Sequence, residues 1–126
     1  MTASEESLNA LAIAAEAAEA TGGEDLVALD VSDRLALADA FLVVTGRNER
    51  NVSAIANEIE DKLFEMGIKP LRREGRGQGR WVLIDFGALI VHVFHEEERL
   101  YYGLERLWGD CPVLPLPAGT GSSVVE

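Results

Sequence analysis

The chain has 126 residues, 48% of them hydrophobic, and its 11 basic against 22 acidic residues give a net charge of −11. That length predicts one domain with one core, and so acidic a chain is a poor candidate for binding bare nucleic acid, whose phosphates repel it. No apolar run approaches the roughly 20 residues of a membrane helix. The acidic start is unlike a secretory signal, and the single cysteine, Cys111, cannot form an internal disulfide. We therefore expect a reducing, cytoplasmic setting and a basic protein partner.

The N-terminal third predicts a helix and two strands. Residues 4–20 are rich in Ala and Glu, and their helical spacing gives an apolar stripe of Leu8, Leu11, Ala12 and Ala15. Gly22-Gly23 ends this helix. Residues 26–31 read as a strand with Leu26, Ala28 and Asp30 on one face and Val27, Leu29 and Val31 on the other. In residues 39–46, polar and apolar side chains alternate poorly and β-branched side chains are frequent, as in a strand buried on both faces.

A second helix and a short strand follow. Asn48 can cap a helix that runs to about residue 66 and ends at Gly67, with an apolar stripe of Val52, Ile55, Ala56, Ile59 and Leu63. Residues 68–73 read as a short, partly charged strand near a sheet edge. We expect the connection from strand 39–46 through the helix to this strand to be right-handed, which makes the two strands parallel.

A β-hairpin comes next, with strands 82–86 and 89–94 joined by Gly87-Ala88. A two-residue loop with Gly first suits a type II′ turn, which requires a positive φ there. The resulting register puts only apolar pairs on one face: Val82 with Val93, Ile84 with Val91, and Phe86 with Leu89. The other face pairs Trp81 with Phe94, Leu83 with His92, and Asp85 with Ile90. The first face is the predicted core, and the second must be covered or meet a partner.

The C-terminal part predicts a last helix and a tail. Three carboxylates, Glu96 to Glu98, open the helix and complement its dipole. From Gly109 onward, prolines and a Gly/Ser run indicate a flexible tail. We therefore predict one domain over residues 1–112 and a tail over 113–126. The order α-β-β-α-β-β-β-α predicts an α/β (α+β) fold with a five-stranded mixed sheet flanked by helices.

The motifs that usually carry chemistry are weak in this chain. His92 and His95 are three apart on a strand and point to opposite faces, so they cannot chelate one metal ion from regular β geometry. No Ser lies in a Gly-x-Ser-x-Gly elbow. The segment 46–48 could hold an anion at a helix N-terminus, although a plain turn with an N-cap explains it better. We expect no enzyme activity, no cofactor and no metal, and keep a nucleotide-binding protein, with the segment 46–48 as its phosphate site, as the alternative.

Four arginines form the local exception to the acidic charge. Arg72, Arg73, Arg76 and Arg80 are interspersed with glycines in a predicted loop. Such a cluster could touch RNA at the edge of a larger contact. The simpler interpretation is a solvated loop whose arginines offset nearby carboxylates.

Several motifs, in order and spacing, resemble the ribosomal silencing factor family, also called the Iojap family. They are residues 39–46 (DAFLVVTG), 54–56 (AIA), Glu74-Gly75, 81–87 (WVLIDFG), 91–94 (VHVF), Arg99, and 102–108 (YGLERLW). The resemblance runs from about Asp25 to Pro112. It implies a sheet similar to the nucleotidyltransferase fold without that fold's catalytic carboxylates. The alternative function is therefore a nucleotidyltransferase-like enzyme or a nucleotide-binding protein.

The resemblance also implies a function. Members of the family bind the large ribosomal subunit through ribosomal protein fourteen, block its association with the small subunit and so repress translation when nutrients are scarce. Members in isolation tend to be homodimers. One departure concerns the hairpin turn, where the family usually has Asp after the glycine and this chain has Ala88.

The residues and the resemblance together predict a partner-binding surface. Its candidate residues lie on the mixed hairpin face and on one side of the last helix: Trp81, Leu83, Asp85, Arg99, Tyr102 and Glu105. Aromatic side chains with flanking charges are typical of protein-binding hot spots. The alternative is packing, with Trp81 against Phe94 and Tyr102 inside the domain or at a dimer contact.

Overall fold

In the computed structural model, the described residues are 5–33, 38–75, 80–97, 111–114 and 116. They form two helices and five strands: α1 (Glu5–Ala20), β1 (Glu24–Asp30), β2 (Ala40–Gly46), α2 (Glu49–Glu65), β3 (Arg72–Glu74), β4 (Trp81–Asp85) and β5 (Leu89–His95). This order confirms the first seven predicted elements. The predicted last helix is helical at Glu96 and Glu97, and the rest of it lies outside the described residues.

The five strands form one mixed sheet in the order β1-β2-β5-β4-β3. β2 and β5 pair in parallel, and the other three pairings are antiparallel. β2 and β3 therefore run in the same direction, as predicted, with β5 and β4 between them. β3 lies at the sheet edge, also as predicted, but it is shorter and begins later because Pro70 has no N–H to donate to a ladder.

Both helices pack on one face of the sheet and build the main core there. This core joins apolar side chains of α1 and α2 to alternate residues of the strands, among them Leu26, Leu42, Val82, Ile84 and Val91. The stripe predicted for α2 is confirmed, since Val52, Ile55, Ala56, Ile59 and Leu63 are all 0% exposed. Asn48 caps α2, with its side chain accepting a hydrogen bond from the Asn51 backbone.

The stripe predicted for α1 is partly wrong. Leu11 and Ala15 are buried, but Leu8 is 39% exposed and Ser7 is 1% exposed. Ser7 turns inward because its hydroxyl donates to the Asp39 carboxylate at 2.8 Å, which ties the first turn of α1 to the start of β2. Small alanines fill the rest of the buried side of α1, and hydrophobicity alone could not show which side that would be.

The opposite face of the sheet carries a second, smaller cluster. It consists of Val27, Leu29, Val31, Ala38, Phe41 and Cys111. The chain that follows Cys111 runs along the edge strand β1. The backbone N–H of Asp30 donates to the Pro112 carbonyl at 2.8 Å, and the backbone N–H of Leu114 donates to the Ala28 carbonyl at 2.9 Å. Leu114 and Leu116 pack against the main core.

A membrane-crossing helix was not expected. Across the described ranges, no helix combines the length and the apolar character needed to cross a bilayer.

Candidate partner-binding surface

The β4–β5 hairpin builds the candidate surface, and its register is the predicted one. Trp81 pairs with Phe94, Leu83 with His92, and Asp85 with Ile90. At the turn, Gly87 has the required positive φ of +95°. Phe86 N–H donates to the Leu89 carbonyl at 2.9 Å. The Asp85 carboxylate accepts from Gly87 N–H at 2.8 Å, which holds the turn. Ala88 is therefore compatible with a well-formed turn in place of the family's Asp.

We define the docking face as Trp81, Leu83 and Asp85 of β4 together with His92 and Phe94 of β5. The three β4 side chains are partly exposed. The two β5 side chains behind them are buried, with His92 5% and Phe94 0% exposed. The face is therefore not sealed: a partly exposed row lies against a buried aromatic row.

Aromatic side chains on this surface contact one another closely. The Trp81 indole stacks on the Phe94 ring, with centroids 5.1 Å apart and planes 22° apart. His92 is nearly parallel to Phe94 at 6.1 Å, and Phe41 meets His92 edge-on at 4.9 Å. The indole Nε1–H donates to His92 Nδ1 at 3.3 Å. A large aromatic side chain fixed in this way suits a hot spot, since little conformational freedom remains to be lost on binding.

His92 is neutral on this surface. Desolvation by burial lowers the pKa of its imidazole from 6.5 to about 4. Because Nδ1 accepts the indole hydrogen, the ring's own hydrogen lies on Nε2. Nε2 is buried and has no hydrogen-bond partner within the described part of the chain.

Asp85 is held from two sides. It caps the turn through Gly87 and lies 3.5 Å from the Arg72 Nε, with its side chain 20% exposed. These contacts give the carboxylate a role within the hairpin. The prediction that it also contacts a partner stays a prediction.

The described members of the arginine cluster are paired with carboxylates. Arg73 donates to Glu60 at 2.6 Å. Arg72 lies 3.0 Å from Glu74. Arg80 donates to Glu97 at 2.9 Å, and this hydrogen bond and charge lower the pKa of the Glu97 carboxyl. Arg76 lies outside the described residues. The pairing supports the interpretation that these arginines offset nearby acids.

The segment Gly46 to Asn48 forms a closed turn. Asn48 Oδ1 accepts from Asn51 N–H at 2.7 Å, and Asn51 Oδ1 accepts from Arg47 N–H at 3.0 Å. A Cβ at Gly46 would lie 2.6 Å from Val52 Cγ2, so the glycine is needed for close packing of the strand against α2. A depression of about 430 Å³ nearby is lined by Asn48, Glu49, Arg50 and His95. The negative charge of Glu49 opposes phosphate binding there. The hydrogen bonds of Asn48 and Asn51 and the close packing at Gly46 are sufficient to explain the turn.

Metal chemistry gains no support from the geometry. Searching the described ranges finds no group of three or more His, Cys, Asp or Glu side chains arranged to hold an ion. The other predicted partner-binding residues, Arg99, Tyr102 and Glu105, lie outside the described residues.

Two features of the surface were not foreseen. The hairpin register makes Trp81 and His92 diagonal neighbours on one face, which brings the two rings near each other, but their hydrogen bond also depends on ring orientation. Large apolar side chains are also exposed away from the docking face: Phe64 at 61%, Met66 at 59% and Leu71 at 73%. Phe64 and Met66 belong to the end of α2, where the amphipathic pattern predicts only that they lie off the buried stripe.

Comparisons with known proteins agree with the residue-level resemblance. The family model described as "Ribosomal silencing factor during starvation" matches residues 4–124. A Bacillus subtilis protein named "Ribosomal silencing factor RsfS" is 47% identical over 109 residues, covering 86% of this chain and 92% of its own length. A more distant relative from Mus musculus, "Mitochondrial assembly of ribosomal large subunit protein 1", is 24% identical over 87 residues, covering 67% of this chain and 38% of its own length.

Solved structures share the fold. A crystal structure of a Chromobacterium violaceum protein superposes with a TM-score of 0.80 at 36% identity, covering 91% of this chain and 97% of that one. A Bacillus halodurans crystal structure gives 0.76 at 42% identity, covering 90% and 100%. The chain belongs to the ribosomal silencing factor family, a family of ribosome-associated silencers of translation.

Proposed function

We propose that this chain binds the large ribosomal subunit through ribosomal protein fourteen and sterically blocks association with the small subunit. Translation is thereby repressed under nutrient limitation. Family membership supports a ribosomal role, and the name of the mouse relative points to the large subunit. The observation that carries the proposal is the docking face, where Trp81, Leu83 and Asp85 remain partly exposed over buried aromatic rings.

The mechanism requires no chemistry from the protein. A bound domain that occupies the subunit-joining surface excludes an intersubunit contact by its volume alone. The net charge of −11 favours a basic ribosomal protein over rRNA as the main contact, because complementary charge steers the encounter while phosphates repel it. A peripheral rRNA contact by Arg72, Arg73, Arg76 and Arg80 is a minor part of the proposal, as is a homodimer in the free state.

Sedimentation of ribosomes in sucrose gradients tests the proposal. Added protein should migrate with the large subunit and reduce the fraction of joined ribosomes. Trp81→Ala should lose both effects, since truncation removes the exposed aromatic from the docking face. Phe64→Ala is the matched control, because Phe64 is an exposed aromatic side chain on α2, away from this face. This variant should sediment like the wild type.

Two results would contradict the proposal. One is wild-type protein that stays at the top of the gradient, and the other is a Trp81→Ala variant that still prevents subunit joining. If Trp81→Ala fails to fold, as judged by circular dichroism, Leu83→Arg takes its place, because it alters the same face at a partly exposed residue and leaves the Trp81–Phe94 stack intact. Calorimetric titration with ATP and GTP tests the nucleotide-binding alternative, for which micromolar affinity would be required.

A further inference from the structure

His92 and Trp81 form a hydrogen bond within the aromatic part of the docking face. The two residues are diagonal neighbours across the β4–β5 pairing, and the indole Nε1–H donates to His92 Nδ1 at 3.3 Å. The same indole stacks on Phe94 at 5.1 Å. Stacking alone still lets the indole shift over the Phe94 ring through small changes in its two side-chain torsions. The hydrogen bond removes that freedom because it fixes the direction of the indole edge.

Packing alone is a poor explanation for a histidine at this position. His92 is 5% exposed, and its aromatic neighbours are Phe41, Trp81 and Phe94. Its Nε2 is buried without a hydrogen-bond partner in the part of the chain that the structure describes, which costs free energy. Leucine or phenylalanine would fill the space without that cost. The property that His92 adds is the acceptor at Nδ1.

We propose that His92 is a positioning residue of the docking face: its Nδ1 holds the Trp81 indole in one orientation on Phe94, ready for a protein partner. This inference rests on the proposed function for its purpose, because positioning matters only if Trp81 meets a partner. The physical gain is preorganisation, since an indole already fixed before binding loses less conformational freedom in the complex. Because the indole N–H is already bonded to His92, the contact that Trp81 makes with the partner is expected to be mainly apolar, through the exposed part of its ring.

Two substitutions at one position separate positioning from packing. His92→Leu removes the acceptor and keeps an apolar side chain. His92→Asn places an amide oxygen close to where Nδ1 lies and retains an acceptor. For each variant we would measure the melting temperature, the NMR signal and solvent exchange of the Trp81 indole N–H, and co-sedimentation with large subunits. The Trp81 signal is assigned by its disappearance in Trp81→Phe.

The expected pattern is specific. His92→Leu should melt at or above the wild-type temperature, while its Trp81 indole N–H shifts and exchanges faster with solvent. Its affinity for the large subunit should fall roughly 3- to 10-fold, the range expected when one more side chain must be ordered on binding. His92→Asn should recover part of both the indole protection and the affinity.

Other outcomes overturn the inference. An unchanged indole signal in His92→Leu would show that Nδ1 does not hold the ring. A large fall in melting temperature in that variant would assign His92 to the core instead. Wild-type affinity in His92→Leu would show that orientation has no role in binding. If the wild type itself does not bind large subunits, the proposed function fails, and the indole N–H measurement still decides whether His92 positions Trp81.

Discussion

The two faces of the β4–β5 hairpin have opposite properties, although they alternate along the same two strands. Towards the helices, Val82, Ile84, Val91 and Val93 are 0% exposed and purely apolar. Towards the other side, Trp81, Leu83 and Asp85 are partly exposed and chemically mixed. Because side chains alternate along a strand, one hairpin can place stability on one face and recognition on the other. Substitutions on the two faces should therefore affect different measurements.

The largest expected effect lies on the helix-covered face. Ile84→Ala should reduce the free energy of unfolding by roughly 2–5 kcal/mol, because it removes buried methyl groups of β4 and leaves a cavity beneath the helices. Urea denaturation measures the loss. Leu83→Ala on the docking face is the control and should lose much less, since Leu83 is partly exposed. Equal losses at the two positions would contradict the division between the faces.

The next effect is a pH dependence that arises on the docking face. The folded protein lowers the pKa of His92 to about 4 from 6.5, so folding favours the neutral ring. This stability is present above pH 6.5 and is lost as the pH falls from there towards 4, by up to roughly 3 kcal/mol. Urea denaturation from pH 7 to 4 measures the slope. His92→Phe cannot titrate at this position, so it should show a shallower slope than the wild type. Parallel slopes in the two proteins would refute the assignment.

The smallest effect lies on the solvent side of α2. The Lys62 Nζ lies 4.0 Å from Glu58 Oε2 and 3.8 Å from Glu65 Oε2, but the Lys62 side chain is 45% exposed. Lys62→Ala should therefore change the free energy of unfolding by no more than about 0.5 kcal/mol. A loss of several kcal/mol in urea denaturation would show that charge pairs on this surface matter as much as the core.

Prediction from the sequence was most accurate for elements whose structure is decided by a local residue pattern. The stripe of α2 has strong hydrophobic contrast, and the register of β4 and β5 follows from a two-residue turn at Gly87. The side of α1 that is buried was harder to predict, because its alanines offer little contrast and the hydrogen bond from Ser7 to Asp39 is a long-range contact. The run of Pro112 to Leu114 along β1 was missed for the same reason.

The candidate site was predicted in part. The mixed hairpin face was found from alternation, and the structure shows that its β4 side chains are partly exposed. The contact between His92 and Trp81 was not singled out, because it depends on ring orientation as well as register. That Arg99, Tyr102 and Glu105 bind a partner stays a prediction.

If the docking face meets a basic protein on the large subunit, binding should depend on the sign of a charge placed at Leu83. Leu83→Arg and Leu83→Glu both remove the apolar side chain and differ mainly in sign, and circular dichroism checks that both fold. In co-sedimentation with purified large subunits, Leu83→Arg should bind more weakly than Leu83→Glu, and the difference should shrink as salt screens the charges. Wild-type binding by both variants, or tighter binding by Leu83→Arg, would contradict the claim.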